Sequence, residues 1–259
     1  MKAYAWGFLL MFAAPVWAQG PASTPPVPAA EVVLLSGHGS ALGSDGHARR
    51  LKRGDPLYAG DIINSGADGY LNMHFRDGGY VLLRPNTRFQ IEAYQYQPAP
   101  AAAPAAPVAR APVAAAAAEP APAPAAAPAA GGSRAFFRLL RGGFRAVSGL
   151  IGHREDQYRI TTPVATMGIR GTDYVVILPN DGEASQLDAQ AGGKLGARGG
   201  VVVGVIKGGI FMKNAGGKLM DVGVGQYAMT LKDGTQVLLS FEPGFIKLLP
   251  IPDPTTSCQ

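Results

Sequence analysis

From Pro98 to Ser133 the chain is almost wholly alanine and proline, with Gly131 and Gly132 closing the run. Proline every few positions stops a helix from propagating and biases the backbone toward extended polyproline conformations. Such a strip has little to bury, so its composition predicts a disordered, semi-rigid and solvated insertion. At ~3.1 Å per residue, fully extended, it reaches on the order of 100 Å. It separates a block over 31–97 from a block over 134–250, which is followed by a short tail over 251–259. Two arrangements stay open: a loop emerging from one compact domain, or a tether between two lobes. The shorter stretch 19–30 has the same character and is expected to be a flexible tether.

The first residues set the compartment. Lys2 precedes an apolar stretch from Ala3 to Val16, and small or apolar Val16 and Ala18 both precede a cut after Ala18. That is the pattern of a cleavable signal peptide over 1–18. A bilayer-spanning helix needs about 20 apolar residues, whereas this run is shorter and Pro15 interrupts it. No later segment is apolar enough to span a membrane, so the expectation is an exported chain. Cys258 is the single cysteine and has no internal partner, which leaves stability to packing and hydrogen bonds. The formal net charge of +5 permits contact with acidic surfaces without requiring it. Nucleic acid is not an expected partner, because the aromatic residues are not interleaved with one basic stripe and export is the wrong compartment.

Both blocks read as short strands and turns. In Tyr70–Arg76, Leu71, Met73 and Phe75 fall on one face and Tyr70, Asn72, His74 and Arg76 on the other, the period of a half-buried strand. Asp77-Gly78-Gly79 supplies a hairpin turn, Val81–Leu83 returns, and Pro85-Asn86 turns again before Phe89 and Ile91, which predicts a three-stranded meander. In the second block Tyr158–Thr162 is a strand stopped by Pro163, and Asp173–Leu178 reads as a central strand buried on both faces. Pro179-Asn180-Asp181-Gly182 reads as a turn, with further strands at 201–206, 210–213, 227–231 and 237–241. Arg134, Arg138, Arg141 and Arg145 are spaced like one face of a helix, which would suit a membrane surface. Gly142-Gly143 opposes this by about 2 kcal/mol, so two strands or a strand and turn are expected there. The fold class is all-β, many short strands in a sandwich or a short solenoid-like stack.

Several pieces of sequence recur together in one family. They are Lys52-Arg53-Gly54-Asp55, Gly60–Gly66, Phe75-Arg76-Asp77-Gly78 and Leu83–Thr87, then the run Ile160–Tyr174 with Thr162-Pro163 and Arg170-Gly171-Thr172-Asp173. In order and spacing they resemble the FecR domain, the extracytoplasmic domain of iron-transport regulators and their relatives, over roughly Glu31 to Phe241. The resemblance implies a mostly β domain in the bacterial periplasm or at the cell surface. In the regulator branch a cytoplasmic segment and a transmembrane helix precede the domain and let it relay a receptor signal to a sigma factor. Here a signal peptide stands in their place, and the tail has no clear match to the regulators' receptor-binding segment. The expectation is therefore the module in a soluble exported form.

The motif residues Gly60, Asp61, Asp77, Gly78, Thr162, Pro163, Gly168, Arg170, Gly171, Thr172 and Asp173 have a structural reading and a contact reading. Structurally, Gly168 and Gly171 permit a tight passage, Thr172 and Asp173 bond turn backbone, and Arg170 forks onto Asp173 or another carboxylate. As a contact, Arg170 meets an anion or a glycan. No catalytic, metal or cofactor set emerges. His38, His47, His74 and His153 are scattered, and Asp45, Asp55, Asp61, Asp68 and Asp77 lie beside glycine or proline, where they serve turns. The glycine-rich run 192–200 lacks the ending of a phosphate loop and reads as a mobile loop joining strands. The function expected is a non-enzymatic protein-interaction or sensing module in envelope signalling, with a protein partner in the periplasm or outer membrane. The alternative is a cell-wall module binding peptidoglycan or another glycan.

Overall fold

The computed structural model describes residues 26–98, 132–153, 156–193, 195–248 and 251–256. The expected signal peptide, most of the expected N-terminal tether, the Pro/Ala-rich insertion beyond Pro98, and Cys258 lie outside the described residues, as does the side chain of His153.

The first block forms β1 (Ala30–Leu35), β2 (Gly39–Leu42), β3 (Ala48–Arg50), β4 (Pro56–Leu57), β5 (Ile62–Ser65), β6 (Leu71–Phe75), β7 (Tyr80–Leu83) and β8 (Arg88–Gln95). The second begins with β9 (Arg134–Val147), one 3-10 turn (Leu150–His153), β10 (Tyr158–Thr161) and β11 (Ala165–Leu178). A helix α1 (Asp181–Gln190) leads to β12 (Val201–Asn214), β13 (Leu219–Val222), β14 (Tyr227–Thr230), β15 (Gln236–Leu239) and a short α2 (Gly244–Leu248). The protein is all-β in class. Its described strands join one hydrogen-bonded sheet of 15 strands, mixed because β10 runs parallel to β9.

The arginine-spaced segment is neither a helix nor two strands. It is one strand of 14 residues, β9, and it ties the two sequence blocks together. On one side it pairs first with β8 and then with β7. On the other it pairs with β10 and then with β11. The expected meander therefore fails at its second turn. β6 and β7 do form a hairpin, but Pro85-Asn86 does not reverse the chain, and β8 runs on along β9. Arg134 pairs with Gln95, and Ser133 Oγ accepts from the Gln97 amide at 3.0 Å, so the described ends of the insertion meet.

The registers show that the sheet folds over itself. Thr161 pairs with both Arg138 and Thr166, and Ile160 with both Phe137 and Met167. Advancing along β11 thus moves toward the start of β9, and on a flat sheet Asp173 would lie beyond Arg134. It pairs instead with Val147, at the far end. Both strands bend to reach that pairing, β9 at Gly142 (φ 79°) and β11 at Gly171 (φ 56°), while β12 follows with its own kink at Gly208 (φ 80°). Strands that pass from one layer to the other at such kinks make the corners of an orthogonal sandwich. This decides for a sandwich over a solenoid. One layer holds β2, β3, β5, β8, β10, β13 and the outer halves of β9, β11 and β12 (134–141, 165–170 and 209–214; the inner halves are 142–147, 173–178 and 201–207). The other holds β1, β4, β6, β7, β14, β15 and their inner halves.

The inner faces meet in an aromatic core. The ring centroids of Phe75 and Phe137 lie 5.1 Å apart and those of Phe89 and Phe144 5.3 Å, each pair crossing between layers in a tilted or edge-on contact. The Tyr158 and Tyr174 hydroxyls, both buried, satisfy each other at 2.9 Å. β11 beyond Asp173 is buried on both faces, as its sequence predicts: Tyr174 and Val176 enter this core, and Val175 and Ile177 enter a second one under α1 and α2.

Two glycines with the same φ separate conformational need from close approach. Gly46 (φ 81°) has open space where a Cβ would sit, but a Cβ on Gly208 would lie 2.3 Å from the Gly171 carbonyl oxygen. Gly46→Ala is predicted to cost about 1 kcal/mol, and Gly208→Ala roughly 3 kcal/mol, because backbone must move. Urea denaturation midpoints of the two variants check this.

Candidate functional site

The bend in β9 creates a corner at which both blocks contribute surface. Gly142 has no room for a side chain, since a Cβ would lie 2.7 Å from Thr87 Cα. Thr87, fully buried, donates its hydroxyl to the Gly143 carbonyl at 2.9 Å and accepts from the Gly143 amide at 3.1 Å. The Thr87 amide in turn donates to Ser65 Oγ at 2.9 Å. These bonds fix the loop between β7 and β8 against the corner. From there Arg84 reaches Glu183 on α1 in an ion pair whose side chains are 16% and 12% exposed.

Glu183 also belongs to the helix cap. Its carboxylate accepts from the Asn180 amide and Asn180 Oδ1 accepts from the Glu183 amide, both at 3.0 Å, a reciprocal capping box. Pro179–Gly182, expected as a turn, instead opens α1. The signal was there, because Asn180 stands three residues before Glu183. The glycine-rich run after it is partly anchored: the Ala197 amide donates to Asp188 at 2.8 Å and Ala197 is buried.

Between these elements lies a groove of about 820 Å³. Tyr70, Leu140, Leu178 and Pro179 supply its apolar surface, and the Arg84–Glu183 pair closes one wall. Arg141 stands at the rim with Nε donating to the Asn86 carbonyl at 3.2 Å. Arg198 pairs with Asp181 at 3.0 Å, with both side chains mostly in water, where such a pair adds little stability. The groove is thus an apolar trough with fixed charge beside it.

Among the motif residues, Pro163 lines this groove. The others sit elsewhere and hold turns. Asp61, buried, receives the Arg49 guanidinium and the Tyr58 amide, and its hydrogen bond raises the Arg49 pKa. Gly60 beside it has φ 93°. Asp77 accepts from the Gly79 amide at 3.2 Å, the Ile151 amide at 3.2 Å and the Tyr94 hydroxyl at 3.1 Å, joining the β6–β7 hairpin to the 3-10 turn. Burial, followed by the Asp77 charge, pushes the Tyr94 phenol far up. Gly78 occupies the turn with φ 85°. Thr162 Oγ1 donates to the Ala165 carbonyl at 2.9 Å and accepts its amide at 3.1 Å across exposed Pro163. Gly168 lies under the Phe211 ring, where a Cβ would come within 1.9 Å of Cζ.

The Arg170–Asp173 element is the bulge at which β11 bends. Thr172 Oγ1 accepts from the Arg170 amide at 3.1 Å and donates to the Gly209 carbonyl at 3.0 Å, and the Thr172 amide donates to Ser148 Oγ at 2.8 Å. Arg170 points outward with its guanidinium carbon 6.0 Å from the Phe211 ring centroid. The fork onto Asp173 comes from Arg145, with Nε and Nη2 at 2.9 and 2.8 Å. Arg145 had been read only as one of the helix-spaced arginines. It also reaches the Ile251 carbonyl at 3.2 Å and Asp253 at 3.3 Å, so residues 251–256 pack on the sheet and are not a free tail. Asn72 follows from this: expected on a solvent face, it is fully buried and donates to the Pro254 carbonyl at 2.7 Å. The N-terminal tether likewise ends early, since Ala29 and Ala30 are buried and Ala30 begins β1.

The turn reading of the acidic residues holds at the other sites too. Asp45 accepts the His47 amide, Asp55 the Lys52 amide, and Asp68 the His38 amide and ring. His74 stacks on Tyr80. Among the described residues no three His, Cys, Asp or Glu side chains gather as a metal group, and no helix is long and apolar enough to cross a membrane.

No family model matches the chain, and no curated protein matches it. Two crystal structures of a protein described as a "putative anti-sigma factor" from Parabacteroides distasonis are similar in fold at 10% sequence identity, each with a TM-score of 0.42. The alignment covers 72% of this chain and 62% of that one, so this chain spans less than two thirds of its length.

Removing Arg145 leaves the Asp173 carboxylate, 12% exposed, without its partner, and Arg145→Ala is predicted to cost roughly 3 kcal/mol. For Asp253, partial burial raises the pKa, but bonds from Thr255 and the Arg145 charge outweigh it and the net shift is downward. A carboxylate lowered on folding stabilises above its unfolded value, about 3.9, and loses that effect as pH falls through the folded one. Thermal unfolding should therefore separate Asp253→Asn from the parent protein at neutral pH, and the gap should close as the solution is acidified below that range.

Proposed function

We propose that this chain is a FecR-like, non-enzymatic module of the bacterial envelope, exported to the periplasm, that takes part in signalling by protein–protein contact. The observation that carries the proposal is the groove at the β9 corner. It is built from both sequence blocks, and its walls are fixed by buried hydrogen bonds and by the Arg84–Glu183 pair. An apolar trough beside fixed charges suits an extended segment of a partner protein, in which side chains fill the trough and polar groups meet the rim. The motif order supports the family assignment, and one of the motif residues, Pro163, lines the groove.

A photo-crosslinking residue placed at Leu140, which is 37% exposed, tests the groove in living cells. The expected result is one reproducible crosslinked envelope protein, missing when the same residue replaces Val224, which is exposed outside the groove. Equal crosslinking from both positions, or none from Leu140, would contradict the proposal.

A further inference from the structure

The two outer faces of the sandwich are treated differently. Over the inner halves of β9, β11 and β12, the outer side is roofed by α1, α2 and Ile251, which close a second apolar core with Leu82, Val175 and Ile177. Over β8, β10, β13 and the outer halves of the long strands, no described element covers the outer side. The registers place its side chains in rows. Phe136 stands beside Arg159, Arg159 beside Gly168 with the Phe211 ring across it, and Phe211 beside Asp221. The adjacent row reads Gln90, Arg138, Thr161, Thr166, Lys213 and Leu219.

This face is strongly cationic. Among the described residues it presents Arg88, Arg134, Arg138, Arg159 and Lys213 against Glu92 and Asp221, and Glu92 is already bound to Arg138. Arg159 lies 4.2 Å over the Phe136 ring, an arrangement that holds a guanidinium flat. Arg88 faces Arg141 directly across β8 and β9, and like charges so placed repel, a repulsion that a bound anion relieves. The missing Cβ of Gly168 lets the Phe211 ring lie across the neighbouring strand rather than project.

We infer that this open face binds an acidic polysaccharide. Guanidinium groups take carboxylates in paired hydrogen bonds, which accounts for the acidic part. Thr161, Thr166 and Gln90 between the cations offer hydroxyl and amide partners for sugar hydroxyls, and the half-buried rings of Phe136 and Phe211 offer apolar surface for sugar faces. Neighbouring strands repeat at about 4.8 Å, close to the length of one sugar unit in an extended glycan. A flat face suits an extended polymer better than a small ligand, which needs a concave site. A lipid surface would be met by several apolar groups standing above the cations, but in these rows Leu219 is the one strongly exposed apolar side chain, and the phenyl rings lie beneath or beside guanidiniums. The inference does not rest on the groove: Arg141 borders both, but Arg159, Lys213 and Phe211 line none of it.

The probes are polygalacturonate, neutral dextran, polyglutamate and phosphatidylglycerol vesicles, each titrated against the full chain by calorimetry or sedimentation. The expected result is polygalacturonate binding that weakens with salt, with no dextran binding and weaker binding of polyglutamate and vesicles. Combining Arg159→Glu with Lys213→Glu should weaken polygalacturonate binding at least about ten-fold, while Lys247→Glu on the roofed side leaves it unchanged, with thermal unfolding confirming that both variants fold. No polygalacturonate binding, equal loss in the Lys247 variant, or polyglutamate or vesicles bound as tightly would overturn the inference.

Discussion

The fork of Arg145 onto Asp173 joins two strands that come together only because each has bent. On a flat sheet the pair would lie at opposite ends of β9. The bends at Gly142 and Gly171 bring β9 and β11 side by side for their inner halves, and the ion pair spans that seam. Because its remaining hydrogen bonds run to residues 251–253, the same guanidinium holds the chain's last described segment over the sheet. An ion pair with side chains about one-eighth exposed is not a large net source of stability against an apolar substitute. Its effect lies in fixing one register, because a slipped β11 would take the Asp173 carboxylate away from the Arg145 fork.

That folded-over sheet also divides the protein's surface by use. Inner-half strands are buried on both sides and contribute to two cores, so their outer residues are Val175, Ile177 and Val202. Outer-half strands have one buried side, and their other side carries arginine, threonine and phenylalanine. The groove forms at the boundary, where the roof ends and the chain turns the corner. The motif residues lie at the corners themselves. The Thr172 hydroxyl satisfies two backbone groups, the Arg170 amide and the Gly209 carbonyl, and Asp61 and Asp77 each accept several hydrogen bonds, which accounts for small and acidic residue types at those positions.

Much of the fold was legible in the sequence because it depends on local period. Leu71, Met73 and Phe75 alternate into the core, and the apolar run after Asp173 is buried on both faces as its composition implies. The misreadings came from long-range contacts. Asn72 alternates like a solvent-facing residue and is buried by a segment more than a hundred positions away. Pro85-Asn86 looks like a reversal, but β9 pairs with the strands on both sides of it and keeps them in line. The arginine spacing in β9 is consistent with helical and extended geometry alike, and tertiary pairing decided between them. Helix α1 has its capping signal in Asn180 and Glu183, but the strong turn residues around them mask it. The groove and the cationic face were not legible, since each gathers residues from strands whose register no local pattern specifies.

If both sequence blocks share one sheet and one core across β9, they should open together. Native-state hydrogen exchange of core amides tests this directly. The amides of Met73 and Val81 in the first block and of Val176 and Val203 in the second are predicted to exchange with the same opening free energy and the same dependence on denaturant. Lower protection of the first pair, with a shallower denaturant dependence, would mean that the first block opens alone and that β9 does not bind the two into one unit.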